Sequence, residues 1–172
     1  KTKRIRFELE YALERGTTDN SFLFREDETT QKSINPSAIL IHPPGAIYAQ
    51  EFITALKNVI PESATSLRVV VGHVNPNRVS LLRELKNIYP NLELIASNPG
   101  AKLLQELWSQ KRPTQSNKPD KDQNIKTSMP PFPKITTIKH EIILESTHNY
   151  QIKLIPAPTP RWPGGLLAFE KN

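Results

Sequence analysis

Four polar side chains follow a short apolar run in the middle of the chain. The run is 67–71 (LRVVV), and His73, Asn75, Asn77 and Arg78 come soon after it. Many α/β folds place their chemistry there, because a rigid strand edge holds the loop that follows. One imidazole, two amides and a guanidinium form a poor transition-metal site, since a guanidinium stays protonated and amides are weak ligands. The set instead favours an anion or a structural hydrogen-bond network.

Other common kinds of catalytic site are excluded by the residues that the chain lacks. Cysteine is absent, which removes disulfides, thiolate catalysis and thiolate-bound zinc or iron–sulfur sites. The other histidines, His42, His140 and His148, have neither HExxH nor HxH spacing, and we predict ordinary turn or surface positions for them. The glycines are scattered, so no glycine-rich phosphate loop is present.

Length and charge indicate one domain without nucleic acid or membrane partners. The chain has 172 residues and a formal net charge of +6. Residues 110–134 carry six basic and two acidic side chains, so they account for +4 of that charge. Aromatic residues are not interleaved with the basic ones as single-strand binders require, so we expect no nucleic acid partner. No apolar run approaches the roughly 18 residues of a membrane span.

Hydrophobic periodicity predicts alternating strands and helices. Strict alternation over 3–13 indicates a half-buried strand, which we pair with 21–25 as an opening hairpin. The further predicted strands are 38–42, 67–71, 92–96, 134–144, 150–155 and 166–169. Apolar residues spaced by three and four predict helices at 47–59, 77–89 and 97–108, the second capped by Asn75 or Asn77. This order indicates a parallel or mixed sheet.

Residues 110–134 interrupt the pattern. They contain five prolines among many polar residues, so they bury too little apolar area to offset the entropy of ordering. We predict a disordered surface insertion, with a partner-docking arm as the alternative.

Several separated motifs, in order, resemble the metallo-β-lactamase-like domain of flavodiiron proteins. The similarity is to the oxygen-photoreducing, multi-domain type of cyanobacteria and chloroplasts. The motifs are RFELEYALERGTTDNSFLF (6–24), IHPPG (41–45), GHVNPNR (72–78), SNPGA (97–101) and PAPTPRWPGG (156–165). The resemblance covers nearly the whole chain except 26–36 and 110–134. It implies an α/β fold, the αββα sandwich, of which residues 1–172 form the N-terminal part.

The family's iron ligands lie in a His-x-Glu-x-Asp-His motif, and this sequence departs from it. His73 is retained, while Asn75, Asn77 and Arg78 stand at the Glu, Asp and second His positions. Arg161 stands where the family has another His before Trp-Pro. At an effective dielectric constant near 20, each iron–guanidinium contact costs on the order of 4 kcal/mol. We therefore expect no metal site beyond the remnant His73, and a pocket suited to an anion at these five positions.

The resemblance also implies a function and its partners. Flavodiiron proteins are oxidoreductases that pass electrons from NAD(P)H through FMN to oxygen, giving water. The FMN domain is absent from these 172 residues, so we expect a truncated component without cofactors, inactive alone. It would pair with a flavodiiron subunit, as a homo- or hetero-oligomer, in a cyanobacterial cytoplasm or chloroplast stroma. The alternatives are a non-catalytic module that binds an anion or a partner, and a gene remnant that does not fold stably.

Overall fold

Two β-sheets lie face to face in this computed structural model, which describes residues 19–25, 37–60, 66–110, 129–145 and 150–171. Among those residues, the larger sheet has five strands in the order β1-β2-β3-β4-β5. They are β1 (Phe22–Arg25), β2 (Ser37–Ile41), β3 (Ser66–Val70), β4 (Glu93–Ser97) and β5 (Lys134–Ile138). Strands β2 to β5 are parallel and β1 is antiparallel to β2. The smaller, antiparallel sheet contains β6 (Ile142–Glu145), β7 (Gln151–Pro156) and β8 (Leu166–Lys171).

Three helices follow strands of the larger sheet within the described ranges. They are α1 (Ala49–Val59), which a 3₁₀ turn at Ala46–Tyr48 precedes, α2 (Pro76–Ile88) and α3 (Asn98–Ser109). Right-handed crossovers between parallel strands place such helices against a sheet face. None of these helices is long and apolar enough to cross a membrane.

The larger sheet is buried on both faces, so its central strands are nearly continuous apolar runs. Alternate residues point to opposite faces, toward the helices or toward the smaller sheet. The helix-facing core includes Leu40, Val69, Leu82, Leu94 and Leu104. The core between the sheets includes Ile39, Val70, Ile95, Ile152 and Leu154. The order of layers is therefore helices, large sheet, small sheet.

The predicted helices and the mixed sheet are confirmed, but one predicted strand is wrong. The segment 134–144 is two strands, β5 and β6, which belong to different sheets. Between them Lys139, His140 and Glu141 are exposed, and the chain turns from one layer to the next. The sequence conceals this break because each strand presents an isoleucine, Ile138 and Ile142, to the space between the two sheets. The predicted strand 3–13 lies outside the described residues, and β1 pairs with β2.

The last part of the predicted insertion packs against α3. The indole Nε1–H of Trp108 donates to the carbonyl oxygen of Pro130 at 3.0 Å. The Phe132 and Trp108 rings are nearly perpendicular, with centroids 5.4 Å apart. The predicted range 110–134 is therefore too long at its C-terminal end, where prolines contribute to packing. Residues 111–128 lie outside the described part of the chain.

Candidate functional site

Three loops meet at the carboxyl edge of β2 and β3. Because these strands are parallel neighbours, the segments that follow them, 42–45 and 71–78, emerge side by side. The His42 N–H donates to the Val70 carbonyl at 3.1 Å, which extends the ladder past β2. The Leu166 N–H donates to the Gly72 carbonyl at 3.3 Å, and this bond brings the loop before β8 to the same edge.

The guanidinium of Arg78 lies at the centre of this edge. Its Nε donates to the Pro43 carbonyl at 2.9 Å, and its Nη1 donates to His73 Nδ1 at 2.6 Å. Its Nη2 forms an ion pair with Asp19 Oδ1 at 3.2 Å, while Asp19 Oδ2 accepts from the Gly45 N–H at 2.9 Å. The Arg78 side chain is only 15% exposed. Partners from three chain segments thus hold one positive charge in a fixed position.

The bond from Arg78 determines the tautomer of His73. A guanidinium remains protonated, so Nδ1 must accept and the imidazole proton must lie on Nε2. Within the described part of the chain, Nε2 is buried without a hydrogen-bond partner. The Trp162 ring packs almost perpendicularly to the imidazole, at 77°, with centroids 4.1 Å apart. His73 therefore has a buried N–H group beneath an indole.

Both histidines of this edge are held in the neutral form. Burial is the main cause that lowers the pKa of His42 and of His73 below 6.5, and the charge of Arg78 lowers each pKa further. Asp19 opposes the shift in both cases. His42 was predicted to be an ordinary turn residue, yet it is half-buried and has a φ of 54°. A non-glycine residue in this left-handed region is uncommon and often lies at a functional site.

Acidification from about pH 7.5 to about pH 5.5 is expected to destabilise the fold. The folded-state pKa values of His42 and His73 lie below those of the unfolded chain, so the unfolded state takes up protons first. The stability that these histidines contribute is complete above about pH 6.5 and falls as the pH drops toward their folded values. Thermal melts across this range should show a falling Tm. His73→Gln should flatten the dependence, whereas the exposed His140→Gln should leave it unchanged.

Asn75 and Asn77 have different positions. Asn75 is the N-cap of α2: its Oδ1 accepts the Arg78 backbone N–H at 2.8 Å, and Pro76 begins the helix. Asn77 lies in the first helical turn and is exposed. Of the two predicted cap candidates, the structure selects Asn75, and its side-chain oxygen faces the helix backbone.

Asn75→Ala is expected to lower the free energy of unfolding by about 1 kcal/mol, because it leaves an N-terminal amide of α2 without its acceptor. Asn77→Ala, the matched control two residues further along in the first turn, should change it by less than about 0.5 kcal/mol. Chemical denaturation of the two variants measures the difference. Equal effects would mean that the cap contributes nothing to stability.

Arg161 does not join the Arg78 network. It is exposed, and its guanidinium lies over the Trp162 ring at 5.6 Å from the centroid. Arg78 and His73 line a cavity of about 510 Å³, whereas Arg161 lines a second cavity of about 390 Å³ that also reaches His73. The structure therefore brings His73, Asn75 and Arg78 together and places Arg161 across an indole from them.

Asp19, His42 and Trp162 are site residues that the sequence reasoning missed. Asp19 lies 59 positions before its partner Arg78, and its Asp-Asn context indicates only a turn. His42 directly follows β2, and this position at a strand end is the signal that could have identified it, because the predicted sheet was parallel or mixed and the structure pairs β2 with β3 in parallel.

The site does not fit a pair of iron ions. Among the described residues, no group of three or more histidine and acidic side chains could hold a metal ion. His73 Nδ1 accepts from a guanidinium and Nε2 carries the proton, so neither nitrogen has a free lone pair for a metal. A cation at this position would also lie beside Arg78.

No family model matches the chain, but individual relatives do. It is 32% identical over 169 residues to diflavin flavoprotein A 4 of Nostoc sp., covering 98% of this chain and 24% of the relative. The metal-soaked Flv1 flavodiiron core from Synechocystis sp. is 29% identical with a TM-score of 0.70, over 97% of this chain and 34% of that one. A fragment of diflavin flavoprotein A 5 from Nostoc sp. is 27% identical with a TM-score of 0.70, and the match covers 97% of this chain and 54% of the fragment.

The chain thus spans about a quarter of the length of the curated relatives that it matches. The predicted resemblance and fold class are confirmed, since the match extends over nearly all of the chain in both sequence and structure. Over nearly its whole length the chain is similar to flavodiiron proteins, and its fold matches part of their metallo-β-lactamase-like core.

Proposed function

We propose that the chain is a component of a flavodiiron-type oxidoreductase whose own iron pocket is closed by Arg78. The similarity to flavodiiron proteins over nearly the whole chain supports the class of reaction, in which electrons pass from NAD(P)H through FMN to oxygen, giving water. The observation that carries the closed pocket is the bond from Arg78 Nη1 to the retained ligand position, His73 Nδ1.

The Arg78 side chain cannot be moved aside at low cost. It would lose its bonds to Pro43 and His73 and leave Asp19 without its charged partner. Breaking this partly buried ion pair and two further hydrogen bonds to the guanidinium costs free energy. The arginine therefore occupies the site in place of metal, and it contributes a fixed positive charge and oriented N–H groups.

In this proposal the chain supplies a pocket and a subunit surface, while a flavodiiron partner supplies FMN and iron. The assembly is a homo- or hetero-oligomer in a cyanobacterial cytoplasm or a chloroplast stroma. No step of oxygen reduction takes place on the residues of this chain, which hold the pocket in its metal-free form.

Metal analysis of the purified chain tests the closed pocket. We expect a cooperative melt and no stoichiometric iron by plasma mass spectrometry after incubation with ferrous ion. About two iron atoms per folded chain would refute the proposal. The variant with Arg78→His, Arg161→His, Asn75→Glu and Asn77→Asp should gain iron if it remains folded. The same variant with Arg78 retained is the control, and it should gain none.

A non-catalytic module that binds an anion or a partner is the second candidate. The cavity beside Arg78 favours it, because a fixed guanidinium and a volume of about 510 Å³ can accommodate a small ligand. Oxygen uptake with NAD(P)H discriminates between the two. If the chain is a component of the oxidoreductase, its addition to a flavodiiron partner should change the rate of oxygen uptake. If the chain is a separate binding module, its addition should leave that rate unchanged.

A further inference from the structure

The buried N–H of His73 is the feature that the proposed function leaves unexplained. Nearly all buried donors in proteins have a partner, and an unpaired one costs free energy. The Nε2 atom of His73 has none within the described residues. An indole face is only a weak acceptor. The site therefore holds a donor that a ligand could satisfy.

Trp162 packs on the His73 imidazole with a side chain that is partly exposed. The residue is 46% exposed. The backbone of its loop is fixed independently, by mutual bonds between Trp162 and Thr159 and by the Gly165 N–H that donates to the Trp162 carbonyl. A rotamer change of an exposed side chain needs no backbone movement and is fast.

The two cavities of the site meet at this indole. Both the 510 Å³ cavity and the 390 Å³ cavity are lined by Gly72, His73, Trp162 and Gly165. If the Trp162 side chain turns outward, the cavities join and His73 Nε2 faces the combined space.

The charges around the combined space favour a monoanion. Arg78 and Asp19 line the first cavity, and Lys102, Arg161 and Glu106 line the second. With neutral imidazoles these five groups sum to a formal charge of +1. The bond from Arg78 to Nδ1 also polarises the imidazole, which strengthens Nε2–H as a donor. Arg161 is exposed and can turn toward a carboxylate.

The remaining walls favour an organic body over an inorganic ion. Ala157, Leu166 and Leu167 line the first cavity, and Pro99 and Leu103 line the second. A bare anion would leave these apolar surfaces in contact with water, whereas a ligand with a small apolar body would cover them.

We propose that a small organic monocarboxylate binds at the Nε2–H of His73, between Arg78 and Arg161, in the space that opens when Trp162 turns outward. The inference rests on the metal-free pocket proposed above, because a pair of iron ions would occupy the same space as the carboxylate. It adds a ligand class and a movable cover to that pocket.

Proton–nitrogen NMR of the 172-residue chain tests the site, with benzoate as the probe. The chain has two tryptophans, and the indole of Trp108 is bonded to Pro130 and serves as the internal reference. Trp162→Phe assigns the second indole signal. Benzoate should shift the Trp162 signal saturably and leave that of Trp108 in place. Benzamide, the uncharged analogue, should bind more weakly than benzoate, by about tenfold or more.

Variants locate the ligand. His73→Phe should weaken benzoate binding about tenfold or more, in a variant whose spectrum shows that the protein is still folded. Arg161→Gln should weaken it several-fold. Lys57→Gln removes the same charge from the last turn of α1, outside both cavities, and should change nothing. Trp162→Ala should tighten binding, measured by saturation transfer to the ligand, because the cover is removed.

Other outcomes would overturn the assignment. Equal shifts with chloride or phosphate would indicate a site for inorganic anions only, and equal binding of benzamide would remove the role of charge. Absence of saturable binding in a chain without iron would refute this inference and leave the proposed function intact. Stoichiometric iron would refute the proposed function directly, whatever benzoate does.

Discussion

Gly72→Ala is expected to lower the free energy of unfolding by about 3 kcal/mol or more. A Cβ atom at position 72 would overlap the His42 imidazole at Cε1 and would lie 2.5 Å from the Leu166 carbonyl oxygen. The carbonyl cannot retreat cheaply, because the Leu166 N–H is bonded to Gly72 and anchors the start of β8. The methyl group would therefore force the two sheets apart or displace His42.

Guanidinium chloride denaturation measures this effect, and Gly45→Ala is the matched control. The nearest atom to a Cβ at Gly45 is Asp19 Oδ2 at 4.0 Å, and its backbone is extended, with φ −72°. An alanine there should be neutral or slightly stabilising. If both alanines had similar small effects, the close packing of His42 on Gly72 would not be part of the folded state.

Arg78→Gln is expected to cost about 2–3 kcal/mol of unfolding free energy, the second largest effect. The substitution removes the ion pair with Asp19 and leaves the Pro43 carbonyl and His73 Nδ1 without their charged donor. It should also raise the pKa of His73 and of His42, since the positive charge of Arg78 is one cause of their lowered values. Histidine titration by NMR records this second consequence.

Arg161→Gln is the charge-matched control for Arg78→Gln. It removes a guanidinium that stacks on Trp162 at the surface, so it should cost less than about 1 kcal/mol. A double-mutant cycle of Arg78→Gln with Asp19→Asn isolates the pair, with an expected coupling of about 1 kcal/mol. Equal costs for the two arginines would contradict the central position of Arg78.

These effects link the stability of the site to its chemistry. The arginine that the resemblance matches to a ligand position also joins the loops after β2 and β3 to Asp19. Restoring a metal ligand at position 78 would thus remove a structural contact. The iron content of the four-residue variant must therefore be compared with that of its control only where both proteins are folded, which a cooperative melt of each can establish.

The sequence by itself determined the features that depend on near neighbours. Spacings of three and four gave the three helices within two residues, and the Asn-Pro-Asn run located the start of α2. His73 and Arg78 are five positions apart across one turn, so their proximity also follows from local structure. The ordered motifs were sufficient to indicate the family.

Only the tertiary structure decided the contacts between distant segments. The pairing of Asp19 with Arg78, the indole of Trp162 on His73, and the separation of Arg161 from Arg78 depend on how loops from two sheets converge. The assignment of 134–144 to two sheets is of the same kind. Periodicity reports which face a residue presents within its own element, but the register and connection of elements decide which partner that face meets.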